Sequence, residues 1–276
     1  MRNIILNALI CLMVACAPKA KEPVSLTILH TNDTHSQVEP LQKNNRGGYA
    51  RRMGIIKQER LQDPDLLLLD AGDFWQGTPY FNFFHGRVEL DAMNRMGYDA
   101  ATLGNHEFDN GVDTLAQVLK NAQFPIVCAN YNVEGTVLED LVKNYIIINR
   151  KGLKIGITGV GCNPEALISP QNFAPLKWEN PLPVANKWAD FLKNKKKCDV
   201  VILLSHLGTD IGHGDTSGIC DIWLAENSRN IDVIIGGHTH MVVEDKHVKN
   251  LDGNDVILRQ TGKSGINLGK VVLTIE

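Results

Sequence analysis

The stretch CDVVILLSH (residues 198–206) decides the fold. Five apolar residues in a row, the first three β-branched, leave no polar face, so a strand here must be covered on both sides, as in a parallel sheet between layers. The run then stops abruptly at Ser205 and His206. The same construction recurs in VSLTILH (24–30), DLLLLDAG (65–72), YDAATLG (98–104), FPIVCAN (124–130), LKIGITGVG (153–161) and IDVIIGG (231–237), and INLGKVVLTIE (266–276) reads as a closing strand. Helix-period faces lie between several of these runs: Tyr49, Met53 and Ile56; Leu115, Val118 and Leu119; Leu182, Ala185, Trp188 and Phe191. Alternating strands and helices predict an α/β protein with helices on the faces of its sheet. There is no internal repeat and no low-complexity segment.

Composition fits an ordinary globular chain, with 43% hydrophobic and 21% charged residues. A formal net charge of -3 with no basic tract argues against a nucleic-acid polymer as partner. The run from Lys193 to Lys197 reads as the solvated C-terminal end of a helix. At the N-terminus, Arg2 precedes IILNALICLMVAC (4–16), too short for the roughly 20 residues of a membrane span but suited to a secretory signal. Small residues leading into Cys16 resemble a bacterial lipoprotein signal, in which that cysteine becomes the lipidated first residue; Met13 departs from the aliphatic usual at its position. The expectation is a signal and tether over 1–23, one domain over 24–276, and export to the periplasm or cell surface with a lipid anchor at Cys16. Of six cysteines, Cys128, Cys162, Cys198 and Cys220 lie outside the signal without Cys-x-x-Cys spacing, which argues against a zinc ribbon or redox motif; export would permit one disulfide.

Five apolar runs end in groups that bind metals. Asp33 and His35 follow the first, Asp73 the second, Asn105, His106 and Asp109 the third; His206 closes the fourth, and His238 and His240 follow the fifth. In an open α/β sheet the carboxyl ends of strands line the functional crevice, so these groups can converge. Carboxylate, imidazole and amide oxygen suit borderline divalent ions such as zinc, manganese or iron. Six or seven ligands sharing one carboxylate can hold two ions about 3.5–4 Å apart, the arrangement used for in-line displacement at phosphorus. Gly72, Gly104, Gly236 and Gly237 precede ligand candidates, where the backbone must turn sharply or a ligand must approach closely.

HTNDTH (30–35), LLLLDAGDFWQGTP (66–79), TLGNHEFDNG (102–111), SHLG (205–208) and IIGGHTH (234–240), in that order, resemble the metallophosphatase domain of the bacterial 5'-nucleotidase and cyclic-nucleotide phosphodiesterase family. GGYARR (47–52), LDAMNRMGYDA (90–100) and QTGKSGINLGKVVLTI (260–275) agree with it. The resemblance implies a four-layer αββα sandwich and two divalent metal ions. It implies that Asp33, His35 and His240 hold the first ion, that Asn105, His206 and His238 hold the second, and that Asp73 bridges. It further implies that His106, positioned by Asp109, contacts the phosphate while a metal-bound hydroxide attacks.

The resulting expectation is an exported phosphoesterase acting on small-molecule phosphate esters, nucleotides above all. A phosphodiesterase or sugar-nucleotide pyrophosphatase would use the same centre, and a non-catalytic surface binding module is the reading from another class. Two-domain members of the family grip the nucleoside with a C-terminal domain that this sequence lacks, so a separately encoded nucleotide-binding partner is also expected. His30, His85, His213 and His247 close no motif and read as structural. Asn32 and Asn130 are candidates for phosphate or ligand-supporting contacts, and Glu107 is left outside the site. Phe74, Trp75, Tyr80 and Phe81 belong either to the core or to an apolar wall beside the site.

Overall fold

The computed structural model describes residues 22–211 and 217–276; the signal, Cys16 and His213 lie outside them. Fourteen strands are described: β1 (Val24–Thr31), β2 (Leu67–Asp70), β3 (Ala100–Ala101), β4 (Ile126–Val127), β5 (Tyr131–Asn132), β6 (Val142–Lys143), β7 (Tyr145–Arg150), β8 (Leu153–Gly161), β9 (Lys177–Trp178), β10 (Val200–His206), β11 (Val233–Gly236), β12 (Val242–Lys249), β13 (Asp255–Thr261) and β14 (Gly269–Ile275). One six-stranded sheet runs β14-β1-β2-β3-β4-β6 and a second β12-β13-β11-β10-β8-β7, with β5 and β9 as a separate pair. In the first, β1 to β4 and β6 are parallel and only β14 is reversed. In the second, β8, β10, β11 and β13 are parallel, while β7 and β12 run antiparallel at the edges.

The two-residue period of a strand explains the layering. On β10, Val200, Ile202 and Leu204 point between the sheets, where they meet Leu26, Ile28, Leu67 and Leu69 of the first sheet. The alternate residues Val201 and Leu203 point outward, under helices α6 (Pro181–Asp190) and α7 (Asp221–Glu226). On the first sheet Leu29 and Leu68 point outward into the cluster covered by α1 (Tyr49–Gln62), α2 (Pro79–Phe84), α3 (Arg87–Met96), α4 (Gly111–Leu119) and α5 (Pro170–Phe173). Three cores thus separate four layers in the order αββα. Each fully buried leucine or isoleucine contributes about 1.5–3 kcal/mol relative to exposure, so an apolar run with no polar face is stable only in such a sandwich.

Several details depart from expectation. The YDAATLG and FPIVCAN runs each contribute only two residues of strand, because the chain leaves the sheet early to build loops. Strands β7, β12 and β13 were not anticipated. The buried stripe of α6 and the turn after it runs through Val184, Ala185, Ala189 and Leu192, whereas Trp188 and Phe191 stack with Tyr145 at the rim. Cys128, Cys162, Cys198 and Cys220 are all buried thiols, so the disulfide that export would permit is not formed among them. Burial pushes the Cys128 thiol up to about 12, as expected of a residue in the core. Phe74, Trp75 and Phe81 are core residues, and Tyr80 donates its hydroxyl to Glu39, so no wall forms from these four.

Candidate metal centre

Both sheets bring the carboxyl ends of their parallel strands to one edge. Asp33 and His35 follow β1, Asp73 follows β2 and Asn105 follows β3, while His206 ends β10 and His238 and His240 follow β11. Backbone bonds lace the loops together: Asp33 N donates to Gly72 O at 2.9 Å and His35 N to Asp73 O at 3.0 Å. Ligand-type atoms of Asp33, His35 and His240 lie within 4.8 Å of one another, as do those of Asp73, His206 and His238. The same holds for His35, Asp73 and His106, which join the two groups to the catalytic-pair candidate. Asn105 is buried beside them, its side-chain oxygen 3.9 Å from Cys162 Sγ. Six of the seven residues singled out as ligands are thus gathered, with Asp73 4.0 Å from His35 and 3.1 Å from His206, while Asn105 lies in the turn just before His106.

The contacts favour a cation. Nδ1 of His206 lies 2.7 Å from the Ala71 carbonyl, which can only accept, so that nitrogen carries the hydrogen. The lone pair of a neutral ring then sits on Nε2, facing Asp73 Oδ2 at 3.1 Å. His35 Nε2 and His240 Nε2 lie 2.9 Å apart, with Asp33 Oδ1 3.4 Å from the second, a spacing that needs a proton or a metal between the two nitrogens. Among the described residues, the ion-pair partners of Asp33 and Asp73 are imidazoles and no lysine or arginine. Imidazole nitrogens and buried carboxylates held this close need a cation between them, a proton or a metal, and this set of nitrogen and carboxylate donors suits a divalent ion, so the residues fit the pair of ions.

Without a metal, protons supply that positive charge. Burial disfavours a charged His206, yet the Asp73 carboxylate and its hydrogen bond raise that ring to about 10. Burial likewise opposes charge on Asp73, and the histidines around it, His206 foremost, hold its carboxyl well below the usual range. His35 moves the other way, lowered by burial against the pull of Asp73 and Asp33. His106 Nδ1 pairs with Asp109 Oδ2 at 2.9 Å; burial lowers its pKa, but that bond and the charges of Asp73 and Asp109 more than offset it and raise it to about 9. The pair is partly open to solvent, whereas Asp33, Asp73 and His206 are buried.

Three supporting residues were missed or left open. Glu107, outside the set read from the sequence, is fully buried and accepts N–H from Asp73 at 2.9 Å, Trp75 at 3.2 Å and Gly104 at 2.6 Å. One carboxylate thus joins the loop carrying Asp73 to the loop carrying Asn105 and His106. Its placement directly after His106, facing into the turn, was the available signal. Asn32 uses Nδ2 on Asp33 Oδ2 at 2.6 Å and on Gly262 O, and Oδ1 on Thr261, so it holds a ligand candidate. Gln260 fixes the His238–His240 turn through Gly237 O, Met241 N and Thr239 Oγ1. Asn130 instead bonds Gly161 and Glu179 backbone groups, a structural use. His30 is buried and lowered to about 3 by burial, and His247 pairs with Asp245 on the surface, both away from the centre.

A family model described as calcineurin-like phosphoesterase matches residues 26–242. The snake venom 5'-nucleotidase of Naja atra is 37% identical over 228 residues, which make up 78% of this chain and 41% of that protein. The trifunctional nucleotide phosphoesterase protein YfkN of Bacillus subtilis (strain 168) is 32% identical over 283 aligned residues, covering 91% of this chain and 18% of that one. The crystal structure of a 5'-nucleotidase precursor from Thermus thermophilus superposes with a TM-score of 0.81 at 32% identity, over 92% of this chain and 52% of that chain. This chain therefore spans about two fifths of the length of the first of these relatives. It belongs to the calcineurin-like phosphoesterase family and carries the metallophosphatase fold.

Proposed function

We propose that the chain is an exported, metal-dependent phosphoesterase acting on nucleotides. In this reading Asp33, His35 and His240 hold one divalent cation, Asn105, His206 and His238 the other, and Asp73 is shared. The observation that carries it is the crowding of imidazole nitrogens on buried carboxylates, His206 Nε2 3.1 Å from Asp73 Oδ2 and His35 Nε2 2.9 Å from His240 Nε2, which calls for cations between them. Two zinc, manganese or iron ions there would supply Lewis-acid charge to phosphoryl oxygens and bring the pKa of a water from 15.7 down toward 7.

The chain's own groups complete the reaction. Asp109 accepts from His106 Nδ1 and so fixes which nitrogen faces the substrate. His106 Nε2 then donates to the ester oxygen on which negative charge grows, and gives it a proton as the bond breaks. Water oxygen bonds phosphorus, the ester P–O bond breaks, one proton leaves the water and one reaches the departing oxygen, giving phosphate and alcohol. Glu107, Asn32 and Gln260 keep the ligand loops in place before substrate arrives, which spares that ordering during the reaction.

The test is phosphate release from a nucleotide panel and from a bis-aryl phosphate, with protein stripped of metal and then reloaded with manganese or zinc. Activity that disappears on chelation, returns with metal and is abolished in Asp73→Asn is the expected result. The ranking of substrates separates monoesterase from diesterase. Bound metal with no turnover on any ester would leave the surface binding module as the better reading. Export is part of the same proposal, supported by the apolar stretch before Cys16 and by relatives named as a venom protein and as a precursor. Lipid labelling of the expressed protein that persisted in Cys16→Ser would rule out the anchor.

A further inference from the structure

The loop after β13 bears on the ligand candidates of the first ion. Thr261 donates through N and Oγ1 to Asn32 Oδ1 at 2.8 and 2.7 Å, and Asn32 Nδ2 donates back to Gly262 O at 2.8 Å. Ser264 N donates to the Asp33 carbonyl at 2.7 Å, and Gly262 N donates at 2.8 Å to the carbonyl of Met241, the residue after His240. Residues 261–264 thus form a strap fastened to the backbone of Asp33 and to the turn that carries His240.

What backs the strap is GGYARR (47–52), a stretch with no side chain among the ligand candidates. It leads into α1 and meets the strap at two points. The Ser264 carbonyl lies 3.0 Å from where a Cβ on Gly47 would stand, and the Arg52 guanidinium occupies the space that a Cβ on Gly265 would need. Arg52 is buried, with its Cζ 5.2 Å from the centroid of the Tyr49 ring, and its Nε and Nη2 have no hydrogen-bond partner among the described residues. Donors buried without acceptors are costly, so hydrogen bonds at these two nitrogens do not account for the placement of the side chain; what it supplies is a flat, stiff plate against the backbone of Gly265.

Close packing of this kind transmits position. Glycine at 265 has no side chain to take up a gap, so the backbone there rests on the plate itself, one residue from the amide that holds Asp33. We propose that Arg52 is a positioning residue for the first metal ion: by bearing on Gly265 it keeps Ser264 on Asp33, and so sets how firmly Asp33, His35 and His240 hold a cation. The proposal rests on the assignment of those three ligands in the phosphoesterase reading.

Three variants test it: Arg52→Ala, which removes the plate; Gly265→Ala, which keeps Arg52 but puts a methyl group where the plate lies; and the two together. The first readout needs no metal. In metal-free protein, hydrogen exchange at the Ser264 amide should quicken about tenfold in each single variant, beyond any change at amides in the centre of β10, which report opening of the whole fold. Calorimetric titration of the same proteins with manganese should show one of two metal equivalents weakened about tenfold and the other unchanged. Gly265 sits at φ 56°, so alanine there strains the backbone in either background, whereas its overlap with the guanidinium exists only while Arg52 is present. Gly265→Ala added to Arg52→Ala should therefore weaken that equivalent by less than about twofold more. Ser264 exchange that changes only as β10 does, two equivalents weakened alike, or effects of the two substitutions that add in full would overturn the proposal. Exchange that follows the prediction in a protein whose wild type binds no manganese would leave the brace on Asp33 standing and bring down the phosphoesterase reading instead.

Discussion

His106 is the residue whose role is most open to measurement. Its Nδ1 bond to Asp109 favours a proton donor, yet it also lies with His35 and Asp73 in a cluster tight enough to coordinate an ion. The two roles separate cleanly in one variant. If His106 stabilises the departing oxygen, His106→Ala should lower kcat by about 10²- to 10⁴-fold, the usual worth of a positioned acid, and leave the bound metal count unchanged. Loss of one metal equivalent would move His106 into the ligand set. Asp109→Asn removes only the group that orients the ring and should produce a smaller fall of the same kind, because the imidazole remains in place.

At the scale of elements, the candidate site was far more legible than the sheet edges around it. Runs such as VVILL end in a ligand because a buried parallel strand has apolar residues on both faces and can expose chemistry only where it stops; His206 shows this. The turns beyond those ends carry a feature the sequence could not show. Asp33, His35, Asp73, His238 and His240 all sit at positive φ, between 47° and 74°, a region sparsely used by residues with a Cβ. Strain of order 1–3 kcal/mol per residue persists only where the surroundings hold it, which is what Glu107, Asn32 and Gln260 do. The glycines nearby were correctly expected to matter, for different reasons at different positions. Gly72 turns at φ 89°, whereas Gly104 has ordinary φ and is needed because a Cβ there would collide with Asp73 Oδ1. Strand β12 escaped notice because it is an edge strand, mostly exposed and polar, EDKHVK in sequence, and β13 because it shows only Val256 to Leu258 before Arg259, so no long apolar run marks either. The stripe of α6 was misplaced for a related reason. Trp188 and Phe191 are large and fall at helix period, but smaller Ala185 and Ala189 let the helix approach β8, and the aromatics are left to stack at the rim.

The whole molecule encloses carboxyl groups behind the ligand set, and these make its stability depend on pH. Asp221 is fully buried and accepts from Ser205 Oγ at 2.5 Å, and burial pushes its carboxyl up to about 8. Asp70 lies on the helix-covered face of the first sheet with Thr31 and Gly72 as its donors, and burial pushes it up to about 7. In the unfolded chain both ionise near ~3.9. Between that value and the folded one the native state binds more protons than the unfolded state, so stability falls as pH rises, by at most about 1.4 kcal/mol per pH unit for each group. Below about pH 4 both states are protonated and the contribution is fully present; above about pH 8 it is lost. The histidines raised by Asp73 act in the same direction in metal-free protein, so the Asp221 share must be isolated by difference. Denaturant unfolding in chelator from about pH 5 to 8 should show wild-type stability declining more steeply than that of Asp221→Asn. The variant keeps the Ser205 acceptor but has no carboxyl to ionise. Parallel curves would mean that Asp221 is already ionised in the fold at the acid end of that range, held there by the positive charge of His206 beyond Ser205, and the sandwich would then contain a buried carboxylate stabilised from the metal side.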